Sequence, residues 1–177
     1  MTGWHLWVSQ HKMKIGLLTI SDRGARGEYE DRSGPQMQAI ITAATTWEIT
    51  QQAVVADEFI TIVDTLTSWC DAGLNLILTS GGTGFAPRDI TPEATRRVIE
   101  REAPGIAEGL RAESLKITRH AMLARGIAGI RGHTLIVNLP GSPKAVTESL
   151  DILLPILPHA LDLLSNSPNT EKQHRTI

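Results

Sequence analysis

Short apolar runs punctuate the chain, and each of them ends in a turn. Lys14–Ile20 (KIGLLTI), residues 49–55, residues 74–79 (LNLILT) and Thr134–Leu139 (TLIVNL) read as strands. Runs of this length bounded by turn residues suit a buried sheet. The segments between them change period. Ser33 as N-cap and Pro35 in the first turn introduce Met37, Ile40, Ile41 and Ala44 at helical spacing. Asp57 opens a second helix with an apolar face of Phe59 or Ile60, Val63, Leu66 and Trp69 with Cys70, and Gly73 closes it. Thr91 caps a third helix, with Pro92 at its first position and Ala94, Val98 and Ile99 as its stripe. Pro104 starts a fourth, through Leu110 to Leu115. The last carries Val146, Leu150, Leu153 and Leu157, with Pro155 and Pro158 expected to kink or split it.

Strands alternating with helices predict a three-layer α/β domain with a largely parallel sheet. At 177 residues the chain fits one domain. It can bury roughly 70 % of its extended surface without disulfides. We assign residues 13–165 to that domain, residues 1–12 with Trp4 and Trp7 to an extension, and residues 166–177 to a polar, frayed tail. A net charge of −2 lacks the basic surplus of a nonspecific nucleic-acid binder. The one cysteine, Cys70, cannot form an internal disulfide and fits a reducing compartment. No apolar stretch reaches the ~20 residues of a membrane span, nor the ~7–15 of a signal-peptide core at the N-terminus. A cytoplasmic protein is expected.

In parallel sheets ligands bind beyond the C-terminal strand ends. Three loops lie there: 21–34, 80–89 and 140–144. The second reads Ser80-Gly81-Gly82-Thr83-Gly84-Phe85-Ala86-Pro87-Arg88-Asp89. Its glycines let backbone N–H groups converge on an anion. It is neither a dinucleotide fingerprint, since Pro87 stands where the third glycine belongs, nor a Walker loop. A carboxylate beside a phosphate cradle repels its ligand unless a cation intervenes, so Asp89 and Asp57 suggest Mg²⁺, which uses one or two carboxylates plus substrate phosphates. Alternatively, each acid serves a helix dipole. Pro140-Gly141-Ser142-Pro143-Lys144 forms another anion site at a helix start, or an ordinary capped helix with a solvated lysine. Ser21-Asp22-Arg23 ends the first strand, where Asp22 and Arg23 also suit a surface ion pair. The histidines show no metal-ligand spacing, and no Gly-x-Ser-x-Gly elbow occurs.

Taken in order, these segments resemble the Mog/MoaB family of molybdenum-cofactor biosynthesis proteins, and more closely its molybdopterin adenylyltransferase branch. The matching stretches are Leu18-Thr19-Ile20-Ser21-Asp22-Arg23, Tyr29-Glu30-Asp31-Arg32-Ser33-Gly34-Pro35, Leu78-Thr79-Ser80-Gly81-Gly82-Thr83-Gly84, Pro87-Arg88-Asp89-Ile90-Thr91-Pro92-Glu93-Ala94-Thr95, Ala128-Gly129-Ile130-Arg131-Gly132 and Asn138-Leu139-Pro140-Gly141-Ser142-Pro143-Lys144. The resemblance implies a molybdopterin-binding fold, a homotrimer, and Mg²⁺-dependent transfer of AMP from ATP to molybdopterin with release of pyrophosphate. It puts the essential, metal-holding acids at Asp57 and Asp89. It puts phosphate binding at Ser80, Gly81, Gly82, Thr83 and Gly84. Ser21, Asp22, Pro140, Gly141, Ser142 and Lys144 then line a shared pterin–nucleotide cleft, which a separate molybdate-insertion protein would visit.

Two positions depart from the pattern: Ala124 and His133 stand where many relatives have serine, or at 133 serine or lysine. Two other readings stay open. One is a non-catalytic pterin- or nucleotide-binding homologue. The other is a Mg²⁺-dependent phosphohydrolase built on the same two acids.

Overall fold

A computed structural model describes residues 12–165. The extension expected over residues 1–12 lies outside them except for Lys12, as does the tail expected over 166–177. The elements run β1 (Lys14–Ile20), α1 (Asp22–Ala25), α2 (Ser33–Ala44), β2 (Glu48–Val55), α3 (Phe59–Asp71), β3 (Leu76–Ser80) and α4 (Thr91–Val98). There follow β4 (Arg101–Glu102), α5 (Pro104–Ile117), a 3₁₀ turn (Arg119–Leu123), β5 (Ala128–Arg131), β6 (Thr134–Leu139), α6 (Pro143–Leu153) and α7 (Leu157–Leu164).

The sheet order is β2-β1-β3-β6-β5-β4. The first four strands are parallel, while β5 and β4 join antiparallel. Side chains alternate between two apolar layers. Ile15, Leu17, Leu76, Leu78, Leu135 and Val137 face α2, α5, α6 and α7, whereas Leu18, Ile20, Ile77 and Ile136 face α3 and α4. This is the three-layer, largely parallel α/β fold that the pattern predicts, with a sheet buried on both faces. Gly16 has a packing reason: a Cβ there would lie 2.6 Å from the Trp69 ring.

Local details differ from expectation. Helix α3 begins at Phe59, with Asp57 outside it, so its buried face is Ile62, Leu66 and Trp69, while Phe59 and Ile60 are exposed. Ser33 and Thr91 lie inside their helices and do not cap them. At α2 the cap comes from Asp31, whose Oδ1 accepts the N–H groups of Ser33 and Gly34. Val98 ends α4, and Ile99 is already extended. The strand expected from residue 74 starts at Leu76, and the short β4 and β5 were not anticipated by any periodicity. The last helix does split beside Pro155, between Leu153 and Leu157.

Candidate functional site

Strands β2 and β3 flank β1, so the chain turns one way after β1 and the other way after β3. A crevice opens at such a switch point beyond the strand ends. All three predicted loops meet there. Gly81, at φ +101°, packs so closely on β1 that a Cβ would lie 2.2 Å from the Ile20 carbonyl oxygen. A Cβ at Gly141 would touch the Gly81 Cα at 3.3 Å. Ser80 Oγ donates to the Pro140 carbonyl (2.9 Å), and Ser33 Oγ donates to that of Gly141 (2.9 Å). The first loop is itself braced: Thr19 Oγ1 donates to Asp31 Oδ2 at 2.9 Å.

The glycine loop separates two hollows. On one side Ser21, Ser80, Gly81, Gly141 and Ser142 line a cleft of about 380 Å³ together with Arg23, Tyr29 and Arg32. The guanidinium groups of Arg23 and Arg32 lie 5.2 and 5.9 Å from the Tyr29 ring centre, and neither forms a salt bridge among the described residues. On the other side Thr83, Gly84 and Pro140 line a cavity of about 310 Å³ with mostly apolar walls, including Ala107, Leu110, Ala121, Leu123 and Ala124. The Gly81 N–H is taken by the Leu139 carbonyl at 3.3 Å. The N–H groups of Gly82, Thr83 and Gly84 donate to no protein acceptor among the described residues, which leaves them available to an anion.

The carboxylates gather along the loop. Asp22 and Asp57 pair reciprocally: the Asp22 N–H donates to Asp57 Oδ2 at 2.8 Å, and the Asp57 N–H donates to Asp22 Oδ1 at 3.0 Å. Arg88 grips Asp22 through two contacts of 2.8 Å and reaches Glu58 at 2.8 Å. That guanidinium holds the Asp22 carboxyl below its ordinary range. Asp57 moves the other way. Burial raises its carboxyl, and the charges of Asp22 and Asp89 push in the same direction. Asp89 Oδ2 accepts the Ala86 N–H at 2.7 Å, and its charge is near enough to be felt at Asp57.

Two arginines escaped the sequence reading because their partners are distant in the chain. Arg88 is one. Arg125 is the other: its Nε donates to the Gly84 carbonyl at 2.7 Å, and its other nitrogens donate to the Asp89 carbonyl and the Glu93 carboxylate. It clamps the second half of the loop, from Gly84 to Asp89. Lys144, by contrast, is not brought to the cleft wall. Its side chain is 83 % exposed and sits 3.8 Å from Glu148, one turn along α6. Ser142 acts as the cap of α6, accepting the Ala145 N–H at 3.2 Å.

The donor set fits a hard divalent cation. Among the described residues none donates a hydrogen bond to Asp57 Oδ1 or Asp89 Oδ1. Among the described residues no group of three or more His, Cys, Asp or Glu could hold a metal, so the acids would need water or substrate oxygens to complete a shell. No described helix is long and apolar enough to cross a membrane.

Comparison with known proteins places the chain among relatives of similar length and fold. The chain is 43 % identical over 152 residues to the molybdopterin adenylyltransferase of Helicobacter pylori strain J99, covering 85 % of this chain and 86 % of that one. It is 44 % identical to gephyrin of Dictyostelium discoideum and 47 % identical to the molybdenum cofactor synthesis protein cinnamon of Drosophila melanogaster, covering 92 % of this chain in each case. It spans only 24 % and 28 % of those longer relatives. The crystal structure of the molybdopterin biosynthesis enzyme MoaB from Thermus thermophilus superposes with a TM-score of 0.83 at 50 % identity, covering 88 % of this chain and 98 % of that one. A MogA structure gives 0.81 at 37 % identity over 85 % of this chain and 99 % of that one. The MoCF_biosynth model, a probable molybdopterin binding domain, matches residues 16–159, and the chain belongs to that family.

Proposed function

We propose that this protein is a molybdopterin adenylyltransferase: it joins the AMP moiety of ATP to the terminal phosphate of molybdopterin and releases pyrophosphate. The observation that carries the reading is the division of charge around one glycine loop. Arg23 and Arg32, which form no salt bridge among the described residues, line one cleft, while Asp57 and Asp89 stand along the loop itself with open oxygens. Polyanionic substrates suit the first, and a cation that neutralises them suits the second. The apolar cavity beyond Thr83 and Gly84 suits a flat heterocycle such as the pterin. A nucleotide then occupies the arginine-lined cleft.

The molybdopterin phosphate oxygen forms a new bond to the α-phosphorus of ATP, and the bond from that phosphorus to the bridging oxygen of pyrophosphate breaks. The attacking oxygen is already anionic, so no strong general base is required. Asp57 and Asp89 would hold Mg²⁺, which supplies charge neutralisation when bound. The N–H groups of Gly82, Thr83 and Gly84 hold phosphate oxygens, and Arg125 keeps that loop in shape. A homotrimer is part of the proposal. It is supported by the exposed apolar residues Leu115, Ile117, Met122 and Leu123 on α5 and the following turn. The deciding experiment is pyrophosphate release by purified protein supplied with molybdopterin, ATP and Mg²⁺. Release that needs both pterin and metal supports the reading. Protein that binds molybdopterin yet releases nothing would be a binding homologue.

A further inference from the structure

Thr91 Oγ1 is the one buried side-chain oxygen or nitrogen among the described residues that has no hydrogen-bond partner. The residue is 0 % exposed, and its hydroxyl does not cap α4. Buried polar groups are almost always satisfied, and the exceptions gather at functional sites. This orphan lies in the site. If Gly82 carried a Cβ, that atom would stand 2.2 Å from Thr91 Oγ1 and 3.0 Å from Asp57 Oδ1, so both oxygens crowd the same face of one glycine. Gly82, at φ +61°, leaves the space empty, and its carbonyl accepts the Thr91 N–H at 3.0 Å, which straps the loop to the first turn of α4.

Asp57 is held on one side only. Its Oδ2 accepts the Asp22 N–H, while Oδ1 has no donor among the described residues. A carboxylate that binds a cation is usually oriented by a neighbouring hydrogen bond. We infer that Thr91 is a positioning residue for Asp57, its hydroxyl donating to Asp57 Oδ1 when that carboxylate holds a divalent cation. This rests on the proposed metal-dependent reading. It assigns to Thr91 a role that helix capping does not account for.

The test uses Thr91→Val, which keeps the shape and removes the hydroxyl, and Thr91→Ser, which keeps the hydroxyl. The probe is Mn²⁺ with α,β-methylene ATP, binding is read by water-proton relaxation, and Asp57→Asn is the control. The expected result is a loss of affinity of about 10-fold or more in Thr91→Val, with Thr91→Ser close to wild type. The melting temperature of Thr91→Val should be unchanged or higher, because no hydrogen bond is broken. Equal affinity of wild type and Thr91→Val, with Asp57→Asn still defective, overturns the inference and leaves the proposed function standing. Absence of Asp57-dependent binding in the wild type overturns both. A Thr91→Val protein that loses affinity only in proportion to lost melting temperature also overturns it, since the hydroxyl would then be structural.

Discussion

Thr91 and Thr95 lie one turn apart on α4, and both are fully buried. Thr95 Oγ1 accepts an amide N–H from Asn138 at 2.9 Å, and the same amide nitrogen donates to Thr79 at 3.0 Å. The side-chain Oδ1 of Asn138 accepts the Ile127 N–H at 3.3 Å, which closes a network across the middle of the sheet. One turn earlier, beside Gly82 and Asp57, the hydroxyl of Thr91 has nothing to bond. The second turn of the helix is framework, where each polar group completes another. The first turn belongs to the site, where the Thr91 hydroxyl faces Gly82 and Asp57 with its own demand unmet.

The comparison breaks most completely at its framework end. Replacing Asn138 with alanine should destabilise the fold by roughly 3 kcal/mol, because it strands the buried Thr79 and Thr95 hydroxyls and takes the acceptor from the half-buried Ile127 N–H. Chemical denaturation measures that loss. At the site end, Asp89→Asn should reduce pyrophosphate release by about 100-fold while the denaturation midpoint stays in place. Near-normal turnover in that variant would remove Asp89 from the chemistry.

Threonine-to-valine exchange on each turn sharpens the contrast further. Thr95→Val leaves an Asn138 N–H without one acceptor and should lose about 1–2 kcal/mol of stability. Thr91→Val should lose none. A small effect of opposite sign is expected at Asp57. Burial raises its folded carboxyl above the unfolded value, so the folded chain holds that proton more tightly. Stability then declines as pH rises through this window, and the penalty is complete above the folded value. Asp57→Asn removes it and should raise the melting temperature at neutral pH by about a degree or two, the exposed part of the group being screened. The gain should vanish in acid. Thermal scans at both pH values check the sign.

Much of this was legible along the chain. Aliphatic runs such as LLTI and TLIVNL cannot be solvated at that density, so they mark a sheet covered on both faces. Glycines and acids at strand ends mark the candidate site. In α3 only the first turn departs from the expected face, Ile62 being buried in place of Phe59 or Ile60 while Leu66 and Trp69 point inward as expected. Asp57 resembles a helix start, yet its pairing with Asp22 holds it outside the helix. Thr91 before Pro92 looks like a cap for the same local reason. The antiparallel edge was missed because strands of two and four residues carry no period.

By itself, then, the sequence determined the alternation of strands and helices, the aliphatic layers, and the small and acidic residues at the turns, because these follow from local propensity and from the cost of exposing apolar surface. Tertiary structure alone decided that β3 lies beside β1, which brings Gly81 onto Ile20 and Arg88 onto Asp22. It also left Thr91, beside Asp57, without a partner among the described residues. Those outcomes depend on pairings between residues dozens of positions apart, and a hydrogen-bond demand becomes visible only once every neighbour that could meet it is in place.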